Sequence, residues 1–456
     1  MQEQAGTLLS VDSHEQRRAR ALEGAFSYTG LARRDQINVP APGDPHMPTP
    51  RILIVYPYPN IESNPTMALL LETLDSLGAK VHVLFAKGDA VLTPARFGSN
   101  VELERWDGGA FSFRRYRPSR KAAIKGLLKK ALAPLLARRR EDGDLIWFAL
   151  RRMRNYELAI GVDPGGISVV DRLNTWARIP IAYISFELMF RDELEGSVEN
   201  SLLAVEQQAA SEARLILLQD EERKTAFCQE HVIDSNRIVT APVAPPPRQV
   251  QRTDALRARL GIPLSKRIVL YCGNIQAWSS RDELVDMVSY WPERYCLVIH
   301  SWDKVGTRLQ KFLDGLRNTG KIFVSSELIT RQEMPDFVAS ADFGLAPYKP
   351  TPEGWLTGKN LYHLGLASGK VSYYALCGLP ILARALPVYD REFAVYRCGK
   401  TYQLSSETGR LLEEMDGSYD LYSKESRRFF DERLNPVPGI TEFCRRLLAV
   451  DAGPRQ

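Results

Sequence analysis

At 456 residues the chain has room for two or three domains with a sizeable core, and its composition is that of an ordinary soluble globular protein. Its 60 Lys and Arg against 55 Asp and Glu leave a net charge of +5, too small to indicate nucleic acid. Six cysteines with no C-x-x-C pair read as free thiols of a reducing compartment, the first thirty residues show no secretory apolar core, and no run of about 18 apolar residues offers a membrane span.

Residues 1–38 are polar and arginine-rich, and "VPAPGDPHMPTP" places prolines at 40, 42, 45, 48 and 50. This predicts a mobile arm and extended linker over 1–50. "RILIVYPY" (51–58) is a continuous apolar run suited to a strand buried on both faces. In "NPTMALLLETLDSLG", Asn64 can cap a helix, Pro65 suits its first position, Leu70, Leu74 and Leu77 share a face and Gly78 can end it. "KVHVLFA" (80–86) is the next strand, which makes a βαβ unit and a parallel sheet. "YELAIGV" (156–162), "IPIAYISFE" (179–187), "RLILLQD" (214–220) and "RIVTAPV" (237–243) continue it.

The proline-rich "APVAPPPRQVQR" (241–252) marks a boundary, and the pattern then restarts. "RIVLYCGN" (267–274), "YCLVIHSW" (295–302), "KIFVSSEL" (321–328), "DFGLAPY" (342–348) and "LPILARAL" (379–386) are strands with helical stretches between them. The fold class is therefore α/β, with two Rossmann-like, doubly wound domains facing across a cleft over 51–245 and 255–415. Helices over 420–456 are placed to return to the first domain. Ligands of such sheets lie at the carboxyl ends of the strands.

"EGWLTGKNLYHLGLASGK" (353–370) holds two near-copies of a phosphate loop, Gly354-x-x-x-Gly358-Lys359 and Gly365-x-x-x-Gly369-Lys370. A Walker A loop needs four residues between its glycines and a Ser or Thr after the lysine. Here there are three, and Asn360 and Val371 follow, so neither is read as a P-loop. The second copy still opens a helix, "VSYYALCG", and a helix N-terminus favours an anion. Gly369 lets backbone approach, Ser368 can cap or donate, and Lys370 adds a charge; a diphosphate fits. A plain cap beside a solvated lysine is the competing reading.

Asp163 and Glu187 end strands on the cleft side, as catalytic carboxylates or as turn and cap residues. His300 ends "YCLVIH", as a donor contact or as the polar end of a buried strand. Thr330 and Glu333 fit a capping box, and Asp220 before "EER" a helix cap. Residues 108–140 contain eleven Lys or Arg and no acid, and part of that stretch forms an amphipathic helical pattern. A cationic face of this kind over 114–140 can lie on anionic lipid or be a solvated surface helix.

"DFGLAPY", "SGKVSYYALCGLPIL" and "RCGKTYQL" resemble, in order and spacing, the donor-binding segment of the GT-B glycosyltransferases, the glycogen-synthase-like group of bacterial polysaccharide enzymes. "RIVLYCGN" and "RQEMPDFVASADFGL" are similar to two further segments of that group, and the resemblance spans about 51–410. It implies sugar transfer from a nucleotide sugar to a glycan or lipid-linked acceptor; the six scattered histidines and the lack of a D-x-D at a strand end of the second domain predict no metal or other cofactor, and the confined charge with few interleaved aromatics predicts no nucleic acid. With the basic stretch 114–140, the expectation is a cytoplasmic protein that docks peripherally on the inner face of the plasma membrane unless that stretch is a solvated surface helix. Ser368, Gly369 and Lys370 become the diphosphate site, with Lys370 also stabilising the leaving group. Gly273 and Asn274 face the same cleft, Ser325 and Ser326 fall at the base, and His300 touches donor.

The group's paired glutamates are altered. Their positions hold Gly365 and Tyr373, with Tyr374 beside it as a further donor contact, while Glu353 resembles the first glutamate but has Leu361 eight residues on. The usual Arg and Lys after the strand glycine are missing too. These departures leave open a non-catalytic scaffold of a polysaccharide assembly complex, or a nucleotide-sugar epimerase on the same fold.

Overall fold

The computed structural model describes residues 49–59, 61, 64–86, 97–106, 152–279, 281–301, 320–352 and 354–449. The N-terminal arm through residue 48, the basic stretch 114–140 and Glu353 lie outside the described residues.

The first sheet has seven parallel strands in the order β3-β2-β1-β4-β5-β6-β7. They are β1 (Arg51–Tyr56), β2 (Lys80–Ala86), β3 (Val101–Trp106), β4 (Leu158–Val162), β5 (Ile181–Ile184), β6 (Leu215–Leu218) and β7 (Ile238–Thr240). The second has six in the order β10-β9-β8-β11-β12-β13, also parallel. Its strands are β8 (Arg267–Cys272), β9 (Tyr295–His300), β10 (Ile322–Ser325), β11 (Phe343–Ala346), β12 (Ile381–Arg384) and β13 (Gly399–Tyr402). Two doubly wound sheets are present, as the restarting pattern predicts. Most of the strands are shorter than the apolar runs suggest, and several of those runs, among them 51–58, 179–187 and 214–220, continue past the strand at its carboxyl end. β3 has no counterpart among the predicted strands.

Helix α1 (Pro65–Ser76) starts where the sequence places it: the Asn64 side chain accepts from the N–H groups of Thr66 and Met67, and Pro65 opens the first turn. Leu70 and Leu74 are buried beneath it, and Gly78 turns the chain at φ +82°. The other helices used below are α2 (Asp163–Ala177), α3 (Ser197–Glu212), α4 (Glu221–Glu230), α5 (Lys359–Tyr362), α6 (Gly369–Leu376) and α7 (Val437–Ala449). α7 buries Ile440, Phe443, Cys444 and Leu447 in the same core as Leu70, Leu74 and Val83, so the last helix completes the first domain. Its close approach rests on Gly439, where any Cβ would collide with the Thr240 carbonyl at the end of β7. All six cysteines are free thiols.

Candidate functional site between the two sheets

In an open parallel sheet a ligand lies where the strand order reverses, beyond the carboxyl ends of the two central strands. That point falls between β1 and β4 in one sheet and between β8 and β11 in the other. Tyr58, two residues past β1, and Asp163, the residue after β4, stand at the first. Gly273, the residue after β8, and Tyr348, two past β11, stand at the second.

Lys370, in the first turn of α6, reaches the second switch point. Its Nζ lies 4.3 Å from the ring centre of Tyr271 and 4.6 Å from that of Tyr348. The Cβ position of Gly273 is 3.5 Å from the same nitrogen. Gly273 has φ +136°, a conformation side chains rarely adopt, so the backbone beside the ammonium stays bare. Ser368 caps α6 by accepting from Val371 N–H at 3.3 Å, and its hydroxyl pairs with that of Tyr348 at 2.8 Å. The first N–H groups of α6 have no intrahelical acceptor. The Lys370 Nζ is buried and has no hydrogen-bond partner among the described residues. Burial pushes its pKa down to about 7. An ammonium with two π faces and no anion is half of an ion pair, and a helix N-terminus beside it supplies further donors.

Across the cleft stand two carboxyl groups. Asp163 opens α2 at φ +53°. That left-handed turn aims its Oδ1 at the backbone after β5, where it accepts from Phe186 N–H at 2.6 Å and Glu187 N–H at 3.0 Å. Gly166 lets α2 close onto β1, since a Cβ there would strike the Val55 carbonyl. Tyr58 stands beside the Asp163 carboxyl. Oδ2 is buried without a partner among the described residues. Burial, and then the charge of Glu187, push the Asp163 pKa up to about 8. Glu187 is raised by burial, opposed by the Arg223 guanidinium and a hydrogen bond from Asn360. The charge of Glu187 also helps burial raise the Tyr348 pKa in the second domain.

The two domains meet through the 354–368 segment and α4. Asp220 caps α4 by accepting from Arg223 N–H at 2.8 Å, and it also accepts from Leu366 N–H of the second domain. Arg223 donates to the carbonyls of Phe186 at 2.6 Å and His363 at 2.9 Å. Glu193 accepts from Lys359 N–H at 2.7 Å, and Ser372 donates to the Val243 carbonyl at 2.7 Å. The first near-copy of a phosphate loop is therefore spent on the domain contact: Lys359 pairs with Asp192.

The remaining predicted residues fall as follows. His300 and Ser325, read separately in the sequence, are one buried pair with Nδ1 3.0 Å from Oγ. Burial pushes the His300 pKa down to about 4. Asn274 and Ser326 are exposed, and the Asn274 carbonyl accepts from the Tyr271 hydroxyl. Tyr373 is half-buried. Tyr374 is fully buried: its hydroxyl accepts from Cys272 N–H at 3.1 Å and donates to the Leu345 carbonyl at 3.3 Å, which makes it a strut between β8 and β11. The donor role given to it in the sequence does not fit this placement. Thr330 and Glu333 form their capping box.

Tyr58, Tyr271, Tyr348, Arg223 and Asn360 belong to the site and were not singled out in the sequence. The tyrosines follow or end central strands, which is a readable signal; Arg223 and Asn360 join residues 137 positions apart, which is not. One metal-compatible group occurs among the described residues, His82, Glu102 and Glu104 on β2 and β3. There the Tyr156 hydroxyl lies 2.5 Å from His82 Nδ1 and Arg152 lies 2.6 Å from Glu104, away from both switch points.

No protein-family profile and no curated protein matches the chain. Solved structures do match it. Sucrose-phosphate synthase from Thermosynechococcus elongatus is similar at TM-score 0.63 and 15% identity, over 88% of this chain and 100% of that one. The Anabaena protein HepE in complex with UDP-glucose is similar at TM-score 0.59 and 14% identity, over 88% and 99%. Trehalose 6-phosphate synthase from Burkholderia multivorans is similar at TM-score 0.51 and 13% identity, over 89% and 98%. At these identities the likeness establishes the fold: the chain has the two-domain GT-B architecture.

Proposed function

We propose that the protein is a glycosyltransferase that moves a sugar from a nucleotide-sugar donor to a hydroxyl acceptor. The observation that carries this reading is the buried, unpaired Lys370 ammonium at the N-terminus of α6, in the cleft of a GT-B fold. A diphosphate would supply the missing anion, with the first N–H groups of α6 and the bare backbone at Gly273 as its bed. The same groups would stabilise charge on the leaving diphosphate as the glycosidic bond breaks. His300 and Ser325 end β9, the neighbour of β8, and β10, the strand beyond it, on the side where the base would extend.

The acceptor would lie against Tyr58, Asp163 and Glu187. Asp163 Oδ2 is the acceptor atom left open for a hydroxyl proton, and a carboxyl tuned near the working pH suits proton transfer. We read the acceptor as a glycan or a lipid-linked sugar of surface polysaccharide synthesis, and the basic stretch 114–140 as a peripheral contact with an anionic membrane. No helix among the described residues is long and apolar enough to cross a membrane.

The test is a thermal-shift panel of UDP-, GDP-, dTDP- and ADP-sugars beside ATP and GTP, on the natural protein and on Lys370→Ala, followed by product analysis. At a ligand concentration of 100 times Kd, binding adds about 2.7 kcal/mol. A shift with one nucleotide sugar, lost in the variant, with a glycosidic product on an added acceptor, supports the reading. An isomerised free nucleotide sugar would identify an epimerase, and no shift with any ligand would favour the scaffold.

A further inference from the structure

We infer that Asn360, a residue of the donor half, is the positioning residue for the Glu187 carboxylate of the acceptor half. This rests on the glycosyltransferase reading of the cleft. Asn360 is buried in α5, within the segment that crosses to the first domain. Its side chain makes four hydrogen bonds, the full capacity of an amide in this setting. Oδ1 accepts from Leu188 N–H at 2.8 Å and from Arg223 Nη2 at 3.2 Å. Nδ2 donates to Glu187 Oε2 at 2.5 Å and to the Leu356 carbonyl at 3.1 Å. Three of the four partners belong to the first domain.

The direction of this amide is fixed by chemistry. Leu188 N–H and the Arg223 guanidinium are donors only, so they require the oxygen on their side. The NH2 group must then face Glu187, where it favours the ionised, acceptor-only form of that carboxyl. Arg223 adds to the same effect and is itself held by the carbonyls of Phe186 and His363. A side chain of the second domain thus orients a carboxyl on the first and opposes the burial that raises its pKa. The neighbouring Asp163, which Asn360 does not touch, lacks this opposing contact and is raised by burial and by the Glu187 charge.

The test uses Asn360→Asp and Asn360→Ala on the full chain. Asn360→Asp keeps the shape and the Arg223 contact but replaces the donor to Glu187 with a second carboxylate. Isotope-edited infrared titration, with the Glu187 band identified by subtraction of Glu187→Gln, should show the Glu187 midpoint moving to higher pH in both variants. With the donor that the natural enzyme turns over, kcat should fall by at least about tenfold. Donor Kd and KM should change by less than about twofold, because the diphosphate bed is untouched. In a Glu187→Gln background, Asn360→Asp should cost no further kcat. An unmoved Glu187 midpoint, or an equal kcat loss in the Glu187→Gln background, overturns the inference. A moved midpoint in a protein that transfers no sugar would instead uphold the role of Asn360 and overturn the glycosyltransferase reading.

Discussion

The Lys370 ammonium stands 4.6 Å from the ring centre of Tyr348, and the hydroxyl of that same ring pairs at 2.8 Å with Ser368, the residue that caps the helix carrying Lys370. One tyrosine thus fixes the helix start and covers the charge next to it. The lysine nitrogen is buried there with no hydrogen-bond partner among the described residues.

This arrangement couples donor binding to protons. Burial lowers the Lys370 pKa to about 7, and a bound diphosphate would restore it towards the ordinary lysine value. Binding should therefore take up a proton above pH 7, and affinity should fall by up to about tenfold per pH unit there. Calorimetry in two buffers of different ionisation enthalpy measures the uptake directly. Lys370→Ala should bind more weakly and show no uptake.

The same burial predicts a stability gain from losing the lysine. The unfolded chain keeps the ammonium protonated to its ordinary value of 10.5, whereas the folded pKa is depressed to about 7. Folding therefore costs most below pH 7, and the cost fades as pH rises towards 10.5. Lys370→Met, of similar length and apolar, should raise the Tm of the ligand-free protein by at least about 2 °C at pH 6, by less at pH 9, and abolish nucleotide binding.

Asp163 carries the opposite sign. Its folded pKa is raised to about 8 from the ordinary 3.8, so the stability of the protonated form is complete below pH 3.8 and is lost as pH rises to about 8. Asp163→Asn mimics that form. Its Tm should exceed that of the natural protein by more at pH 8.5 than at pH 5, while kcat with the natural donor falls by at least about a hundredfold. Thermal melts at the two pH values and one activity assay check both statements.

Much of the fold is legible in the sequence because the central strands are buried on both faces. β1, β2, β8 and β9 read as continuous apolar runs for that reason. β3 escapes notice because it is an edge strand: "VELERW" alternates charges along a half-exposed ribbon. At the site, "SGK" is readable because a helix N-terminus, a glycine and a cation are adjacent in sequence. The partners of Lys370 are not, since Tyr271 and Tyr348 meet it only through the β8–β11 pairing. The contact between Asn360 and Glu187 spans 173 positions and two domains, and no local pattern announces it.

The return of α7 to the first domain gives a prediction remote from the cleft. Gly439 packs against the backbone of Thr240, which has no side-chain freedom with which to yield. Gly439→Ala should push α7 off the core that holds Phe443 and Cys444 and destabilise the protein by about 1–3 kcal/mol. Denaturant melts measure the loss, and hydrogen exchange should locate it in α7 and α1.

The most direct test of the central claim is equilibrium binding of UDP, GDP, dTDP and ADP, with inorganic sulfate as control, to the natural protein and to Lys370→Ala. The account predicts that one nucleoside diphosphate binds the natural protein, that sulfate binds far more weakly, and that the variant loses at least about tenfold in affinity. Equal affinity in the two proteins, or no binding of any nucleoside diphosphate, would contradict the assignment of Lys370 and α6 as the donor site.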